Sequence, residues 1–416
     1  MKKALQKLAA VSATLIDRRT ARRTPSGFDL VLSDKIDFVN AADWDSLAVQ
    51  SLFLSRDYLR VLERYSPSNL TARYAMAYAD GKPAAIILVQ RVTITGDRFS
   101  KKKDKEKLHD KTIEKYGEHL LVCGNVLVWG PRGVAFADDI APDQLWRAVG
   151  EAIYRLRRAD KLLGESDLIM VKDFSGDDAT AQDTLRLLGY RSVETEPDMV
   201  LDIRPEWKKP EDYLSNLTSS YRSNVKKLAK DCAAASVTFR LLEPAEMLQR
   251  ADELHALYLQ VHEGQGLRLA TLNPLYLPAM AQILGARFRC RVAELDGKAV
   301  GFVTIAHDND CAIGYYIGYD KPSNEAAPIY LTLLGSCIDD AIEMGAKQLS
   351  LGRTALEPKA KMGCKPVATS CAVKHRVSAI NPLLSAITRN VSHNEPPERS
   401  PFKVAKESKE SAQAAD

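Results

Sequence analysis

Two stretches of the chain alternate apolar and polar positions in the same way, and an Asp-Gly pair divides each of them. Residues 71–94 contain Asp80-Gly81, residues 287–306 contain Asp296-Gly297, and a lysine follows each pair. An Asp-Gly pair between two β-prone runs favours a tight hairpin, because both central residues of such a turn take positive φ. Each stretch therefore predicts a β-hairpin.

The two predicted hairpins stand in the same series of elements. Two segments with apolar residues at helical spacing precede each hairpin, at 43–50 and 55–65 and again at 244–262 and 273–284. A strand, an amphipathic helix and a further strand follow each hairpin, at 120–130, 142–159 and 166–172 and again at 311–319, 328–345 and 347–352. The repeated order predicts an α+β fold of two tandem domains, each with a mixed, mostly antiparallel sheet flanked by helices.

Changes in composition along the chain predict the boundaries of the domains, the insert and the tail. A break rich in proline and charge around residues 202–211 divides a first domain, 28–204, from a second domain, 205–390. Residues 1–27 predict a basic amphipathic helix, and residues 97–119 a charged insert that forms a solvated helix or loop. Residues 391–416 are polar and predict a disordered tail.

Composition narrows the class of protein. The 416 residues include 45% hydrophobic and 27% charged residues, as in globular proteins, and contain no apolar run long enough to span a membrane. The net charge of +4 comes largely from the N-terminal segment, so a uniformly basic nucleic-acid binder is not indicated. Seven scattered cysteines without a CxxC pair predict a reducing, cytoplasmic location, and no histidine or cysteine spacing predicts a metal site.

Three motifs add a family resemblance. A basic helix begins with Ser219-Ser220-Tyr221-Arg222, a predicted strand ends in Gly318-Tyr319-Asp320, and the next strand ends in Leu351-Gly352-Arg353 before the run Lys359-Ala360-Lys361-Met362-Gly363. In this order they resemble the GNAT acyltransferase superfamily, and in particular its Fem-type and double-GNAT branch. We expect the chemistry to lie in the second domain. The strand after the first crossover helix has no basic cluster behind it, so the first domain is expected to be mainly scaffold and acceptor-side wall.

One departure from the GNAT pattern concerns the donor. The resemblance implies a Gly-rich loop for the coenzyme A pyrophosphate before the crossover helix, but residues 321–327 contain no glycine, and Glu325 would repel a pyrophosphate. The start of the helix at Pro328 and Ile329 remains a candidate for an anion, because free N–H groups point outward there. Fem-type proteins also lack the loop and use aminoacyl-tRNA.

Basic residues after the last strand are the candidates for binding the donor. Arg353, Lys359 and Lys361 could clamp a phosphate chain, or they could form a basic surface that balances the acidic helix before them. For proton transfer the candidates are Asp320, Tyr316 and Glu357. Asp320 is equally well explained as a turn residue, and alternation predicts that Tyr315 and Tyr316 face opposite sides of the strand.

Substrate-binding candidates lie on two segments of the second domain. Tyr221, Arg222 and Lys226 form a basic patch on the linking helix, with the last two on one face, or else a solvated surface. His262 and Gln265 lie where a helix gives way to the loop that often borders the acceptor in the GNAT plan.

The sequence and the resemblance together predict a GNAT-fold acyltransferase that moves an acyl group from acyl-CoA to a small-molecule or peptide amine. No permanently bound cofactor is expected. One alternative is a Fem-type reaction that uses aminoacyl-tRNA, with tRNA as a partner and a peptidoglycan precursor as acceptor. Another is a tandem domain that binds a ligand without catalysis.

Overall fold

A computed structural model describes residues 20, 23–94, 118–130, 133–176, 178–265, 268–377, 379–381, 397 and 399–403. The predicted N-terminal helix (1–27), charged insert (97–119) and tail (391–416) lie wholly or mostly outside these residues. No helix in the described ranges is long and apolar enough to cross a membrane.

The structure places the strands as follows: β1 Asp29–Ser33, β2 Leu70–Ala79, β3 Lys82–Ile94, β4 Glu118–Cys123, β5 Val134–Phe136, β6 Leu168–Phe174, β7 Arg191–Asp202, β8 Thr238–Leu241, β9 Phe288–Leu295, β10 Lys298–Asp308, β11 Cys311–Tyr319, β12 Gln348–Ser350 and β13 Lys365–His375. The helices are α1 Ala41–Ala48, α2 Arg56–Arg64, α3 Pro142–Ala159, α4 Ala179–Leu187, α5 Pro210–Asn216, α6 Ser219–Ala234, α7 Pro244–Gln249, α8 Ala251–His262, α9 Tyr276–Leu284, α10 Lys321–Ala326, α11 Ile329–Glu343 and α12 Leu356–Lys361.

Both predicted hairpins are confirmed. β2 pairs with β3 and β9 pairs with β10, and both residues of each Asp-Gly turn have positive φ. The predicted helix 244–262 is in fact two helices, α7 and α8, with Arg250 between them. Segment 321–327, expected as a loop, forms the short helix α10, because Pro322 suits its first turn and the Asp320 side chain caps it.

The sheets of the two halves join into one. The strand order is β1-β2-β3-β4-β6-β13-β7-β12-β11-β10-β9-β8, and β5 pairs with β3. β13 comes from the second half of the chain, yet it inserts between β6 and β7 and runs antiparallel to both. The two halves therefore share backbone hydrogen bonds as well as side-chain contacts.

One hydrophobic core also spans both halves. It contains α1 and α2 from the first half and α8 and α9 from the second. At its centre the hydroxyl of Tyr58 lies 3.0 Å from that of Tyr276, which lies 2.6 Å from that of Tyr315. Gly318 lets α8 approach closely, because a Cβ there would stand 2.6 Å from the backbone nitrogen of Tyr258.

The sheet opens at corresponding points in the two halves. In the second half, β11 pairs with β12 only from Cys311 to Ile313, so the strands separate beyond Ile313 and Ser350. In the first half, β4 pairs with β6 up to Cys123 and Val171 and then separates. We call these openings the second gap and the first gap. Each lies between parallel strands.

Candidate functional site

A β-bulge lies on the edge of the second gap. Tyr315 and Tyr316 together oppose the single residue Thr304 of β10. The Thr304 hydroxyl accepts a hydrogen bond from the Tyr316 amide at 3.0 Å and donates to the Tyr316 carbonyl at 3.2 Å. The prediction that the two tyrosines face opposite sides is wrong, because a bulge breaks the alternation of a strand. Both pack against the shared core, and their ring centroids are 4.7 Å apart.

A loop from the first half reaches this bulge. Residues 124–130 follow β4, and the carbonyl of Leu127 accepts a hydrogen bond of 3.1 Å from the Tyr316 hydroxyl. Burial raises the pKa of Tyr316 well above its usual value, so the phenol keeps its proton at neutral pH. Trp129, at the end of the same loop, is 41% exposed.

Arg353 follows β12 on the other side of the second gap. Its guanidinium lies over the Trp129 ring, 4.3 Å from the centroid, and donates to Asp173 at 2.8 Å. Its Nε atom is buried and has no hydrogen-bond partner among the described residues. The spare Nε–H can donate a hydrogen bond to a carbonyl oxygen or an anion that reaches it.

Asp173 is the anion at the centre of this cluster. Its side chain is 1% exposed and binds Lys172 at 2.6 Å as well as Arg353. Its φ of +59° is in the left-handed region, which is unfavourable for a residue other than glycine. One carboxylate thus holds two cations, one from its own half of the chain and one from the other.

The loop after β12 is strained, and Lys359 holds it. Gly352, Thr354 and Ala355 all have positive φ. The Lys359 ammonium is buried and donates to the carbonyls of Gly352, Arg353 and Thr354 at 3.0, 2.6 and 2.7 Å. Because an ammonium has only three donors, Lys359 has none left for a phosphate. In this conformation Lys359 therefore holds the loop that carries Arg353, and its predicted contact with the donor would need those hydrogen bonds to break.

A buried carboxyl group lies at the apex of the second gap. Asp198 of β7 accepts a hydrogen bond of 2.7 Å from Ser350, the residue after which β12 leaves β11. Burial raises the pKa of Asp198, and the Ser350 hydrogen bond only partly opposes that shift. A carboxyl group with a raised pKa beside a gap is a candidate proton acceptor.

The first gap is closed by its own lysine. The Lys172 ammonium donates to the carbonyls of Asn125 and Val128 at 3.0 Å each, and so bridges the strands where they separate. A Cβ on Gly124 would stand 3.0 Å from the Cβ of Lys172. The residues of this half therefore fill the first gap.

A groove of about 620 Å³ lies between α6 and the start of α11. Its charged lining residues are Lys227, Asp231 and Glu325. Pro328 also lines it, but the amides of Ile329 and Tyr330 already donate to Ala327 at 2.7 Å and to Asn324 at 2.8 Å. The predicted anion site at Pro328 and Ile329 thus lacks two of the amides on which it depends.

Two predicted proton-transfer residues have structural partners instead. Asp320 caps α10 by accepting from the amide and hydroxyl of Ser323 at 2.9 and 2.7 Å, and these hydrogen bonds lower its pKa. Glu357 is at the surface, where hydrogen bonds from Arg399 and Lys361 lower its pKa. A lowered pKa makes each carboxylate a weaker base, so neither fits the predicted role. Lys361, 50% exposed, is paired with Glu357 at 3.2 Å and is not part of the cluster around Asp173.

The substrate-binding candidates do not come together at one place. Tyr221 packs against the core of the second half, and Arg222 is half-buried. Lys226 is exposed, and the groove is lined by its neighbour Lys227 instead. His262 is buried, stacks on Tyr258 at 4.9 Å and lies 3.1 Å from the Thr271 hydroxyl, whereas Gln265 is exposed.

Four residues of the site were missed in the sequence: Trp129, Lys172, Asp173 and Asp198. A signal for two of them existed. Lys172 and Asp173 stand between Val171 and Phe174 in an apolar strand, and charged residues are rarely buried unless they are paired. Trp129 and Asp198 carry no comparable local signal.

Comparison with known proteins agrees with this geometry. Residues 219–360 match the acetyltransferase (GNAT) domain family. The chain has the fold of FemX, with 11% identity, a TM-score of 0.54 and coverage of 86% of this chain and 100% of that chain. It also has the fold of a tandem GNAT protein from the clavulanic acid biosynthesis pathway. The identity is 10%, the TM-score is 0.51, and the match covers 84% of this chain and 98% of that chain. No curated protein sequence matches the chain.

Residues 219–360 thus match the GNAT domain family, and the whole chain has the fold of FemX and of a tandem GNAT protein, as the sequence resemblance implied.

Proposed function

We propose that this protein transfers an acyl group from acyl-CoA to an amine in the second gap. The observation that carries the proposal is Arg353, which is fixed by Asp173 and Trp129 and has a buried Nε–H without an acceptor. This donor suits the oxygen of a thioester carbonyl, on which negative charge develops during acyl transfer. The unpaired edge of β11 beyond Ile313 suits the amide groups of an extended pantetheine arm.

The proposed reaction moves one proton from the amine and one to the thiolate. The amine nitrogen attacks the carbonyl carbon, a C–N bond forms and the C–S bond breaks. Asp198, through Ser350, takes the proton that the amine loses. The departing thiolate takes its proton from water, because the Tyr316 hydroxyl donates to Leu127 and its raised pKa makes it a weak acid.

A second candidate donor is favoured by one observation. Helix α10 replaces the Gly-rich loop, and the adjacent groove carries Asp231 and Glu325 against Lys227. This lining does not suit a pyrophosphate. Aminoacyl-tRNA, whose ester would present the same carbonyl to Arg353, would not need a pyrophosphate site there.

A transfer assay with three donors tests the proposal: acetyl-CoA, a long-chain acyl-CoA and a charged tRNA, each with a panel of amines. We expect turnover with a thioester and a fall in kcat/KM of about 100-fold or more in Arg353→Ala. The matched control is Arg60→Ala, which removes an exposed arginine of α2 that pairs with Asp37. Turnover with charged tRNA alone would establish the second candidate. No turnover with any donor, or equal turnover in Arg353→Ala, would contradict both.

A further inference from the structure

A second concave site lies in the first half, away from the two gaps. It is a groove of about 370 Å³ between α3, the ends of β6 and β13, and residues 23–26. Five of its lining residues are basic: Arg23, Arg147, Arg157, Lys374 and Arg376. We call it the basic groove.

The positive charge of the basic groove is only partly neutralised. No carboxylate among the described residues forms an ion pair with Arg23, Arg147 or Arg157. Glu151, the one acidic residue among the described residues that line the groove, is held by Arg155 at 2.6 Å and by the amide of Ser26 at 2.7 Å. Arg376 is paired with Glu165 and Asp167. The groove therefore offers at least three unpaired guanidinium groups to an anion.

Exposed leucines lie next to the basic groove. Leu162 is 98% exposed and Leu163 is 57% exposed, on the turn that directly follows α3. Tyr154, which lines the groove, is 54% exposed. Arg376 of the groove binds Glu165 at 2.6 Å, two residues after Leu163. Through this ion pair the turn that carries the leucines lies beside the basic groove, and we call the two together the α3 face.

We propose that the α3 face docks on an anionic lipid surface, with lipid phosphate groups in the basic groove and Leu162 and Leu163 among the acyl chains. Guanidinium groups suit phosphate oxygens, but a free phosphate would give no reason for two adjacent exposed leucines. The sequence before Arg23 adds six basic residues and one acidic residue. That charge suits an extended anionic surface better than a small ligand.

Vesicle co-sedimentation of the full chain tests the proposal. Phosphatidylcholine vesicles with and without 30% phosphatidylglycerol are compared at fixed ionic strength. We expect binding only to the anionic vesicles. Arg147→Ala with Arg157→Ala should weaken the partition coefficient about 25-fold, at roughly fivefold for each basic residue near such a surface. Leu162→Ser with Leu163→Ser should weaken it about 100-fold, because burying each leucine among acyl chains is worth about 1.5 kcal/mol or more.

Controls separate this result from misfolding and from other anions. Arg56→Ala with Arg60→Ala removes two arginines of α2 outside the α3 face and should leave binding unchanged. All variants should keep the wild-type thermal unfolding midpoint within a few degrees. Equal binding to both kinds of vesicle, or wild-type binding by both double variants, would overturn the proposal. So would binding of inorganic pyrophosphate or of tRNA without binding to anionic vesicles. The outcome is independent of the transfer assay, because no residue of either gap is changed.

Discussion

The two halves of the chain open their sheets at corresponding places and use the openings differently. In the first gap the Lys172 ammonium binds two backbone carbonyls across the opening. In the second gap β12 ends after three paired residues, and a bulge and a strained loop line the space. The fold provides the gap twice, and the two gaps carry different side chains: Lys172 bridges the first, whereas Tyr316 and Arg353 lie on either side of the second. This difference is the reason for placing the proposed reaction in the second gap.

The first gap also supports the second. Lys172 and Asp173 belong to the first half, and Asp173 fixes Arg353 of the second half. Trp129 completes the arrangement from the loop after β4. The first half thus fixes Arg353 as well as contributing to a wall of the candidate site, whereas the sequence suggests only a scaffold and an acceptor-side wall.

The largest effect is expected from Asp173→Ala. This change leaves Lys172 and Arg353 without their shared carboxylate, so the free energy of unfolding should fall by about 3–5 kcal/mol. Urea denaturation measures this loss. Asp45→Ala, which removes the partner of Arg56 at the surface, should cost less than about 1 kcal/mol. Similar small losses for both variants would mean that the two halves do not depend on Asp173.

An intermediate effect is expected from Lys359→Met. Three carbonyls of the strained loop lose their donor, so the free energy of unfolding should fall by about 2–3 kcal/mol and Arg353 should lose its position. The rate of acyl transfer should also fall, because Arg353 is displaced. The matched control, Lys361→Met, removes an exposed lysine two residues away and should cost under about 0.5 kcal/mol. If the two variants behave alike, Lys359 does not hold the loop.

The smallest effect is expected from Asp320→Ala. Loss of the α10 cap should cost about 1 kcal/mol at pH 7, with transfer activity reduced less than threefold. Because the pKa of Asp320 is lowered in the folded state, its stabilisation is complete above the usual aspartate pKa near 4. It is lost as the pH falls through the lowered pKa. Denaturation at pH 7 and pH 2 measures the difference, and a 100-fold loss of activity would instead make Asp320 the base.

The local pattern of the sequence was enough for the hairpins, the helix order and the tandem plan. It was not enough for the insertion of β13 between β6 and β7, because pairing between strands so distant in sequence leaves no mark on either strand. Tyr316 and Arg353 could be selected as candidates. The bulge that turns Tyr315 and Tyr316 to one side depends on Thr304, which lies on another strand. The role of Lys359 depends on the conformation of the loop after β12.

The most direct test of the central claim is calorimetric titration of the wild type, Arg353→Ala and Arg60→Ala with the thioester that supports turnover. If only the second gap is open, one molecule should bind per chain, binding should weaken at least tenfold in Arg353→Ala, and Arg60→Ala should bind as the wild type does. Two sites per chain, or one site that Arg353→Ala leaves unchanged, would contradict the assignment of the second gap as the site of acyl transfer.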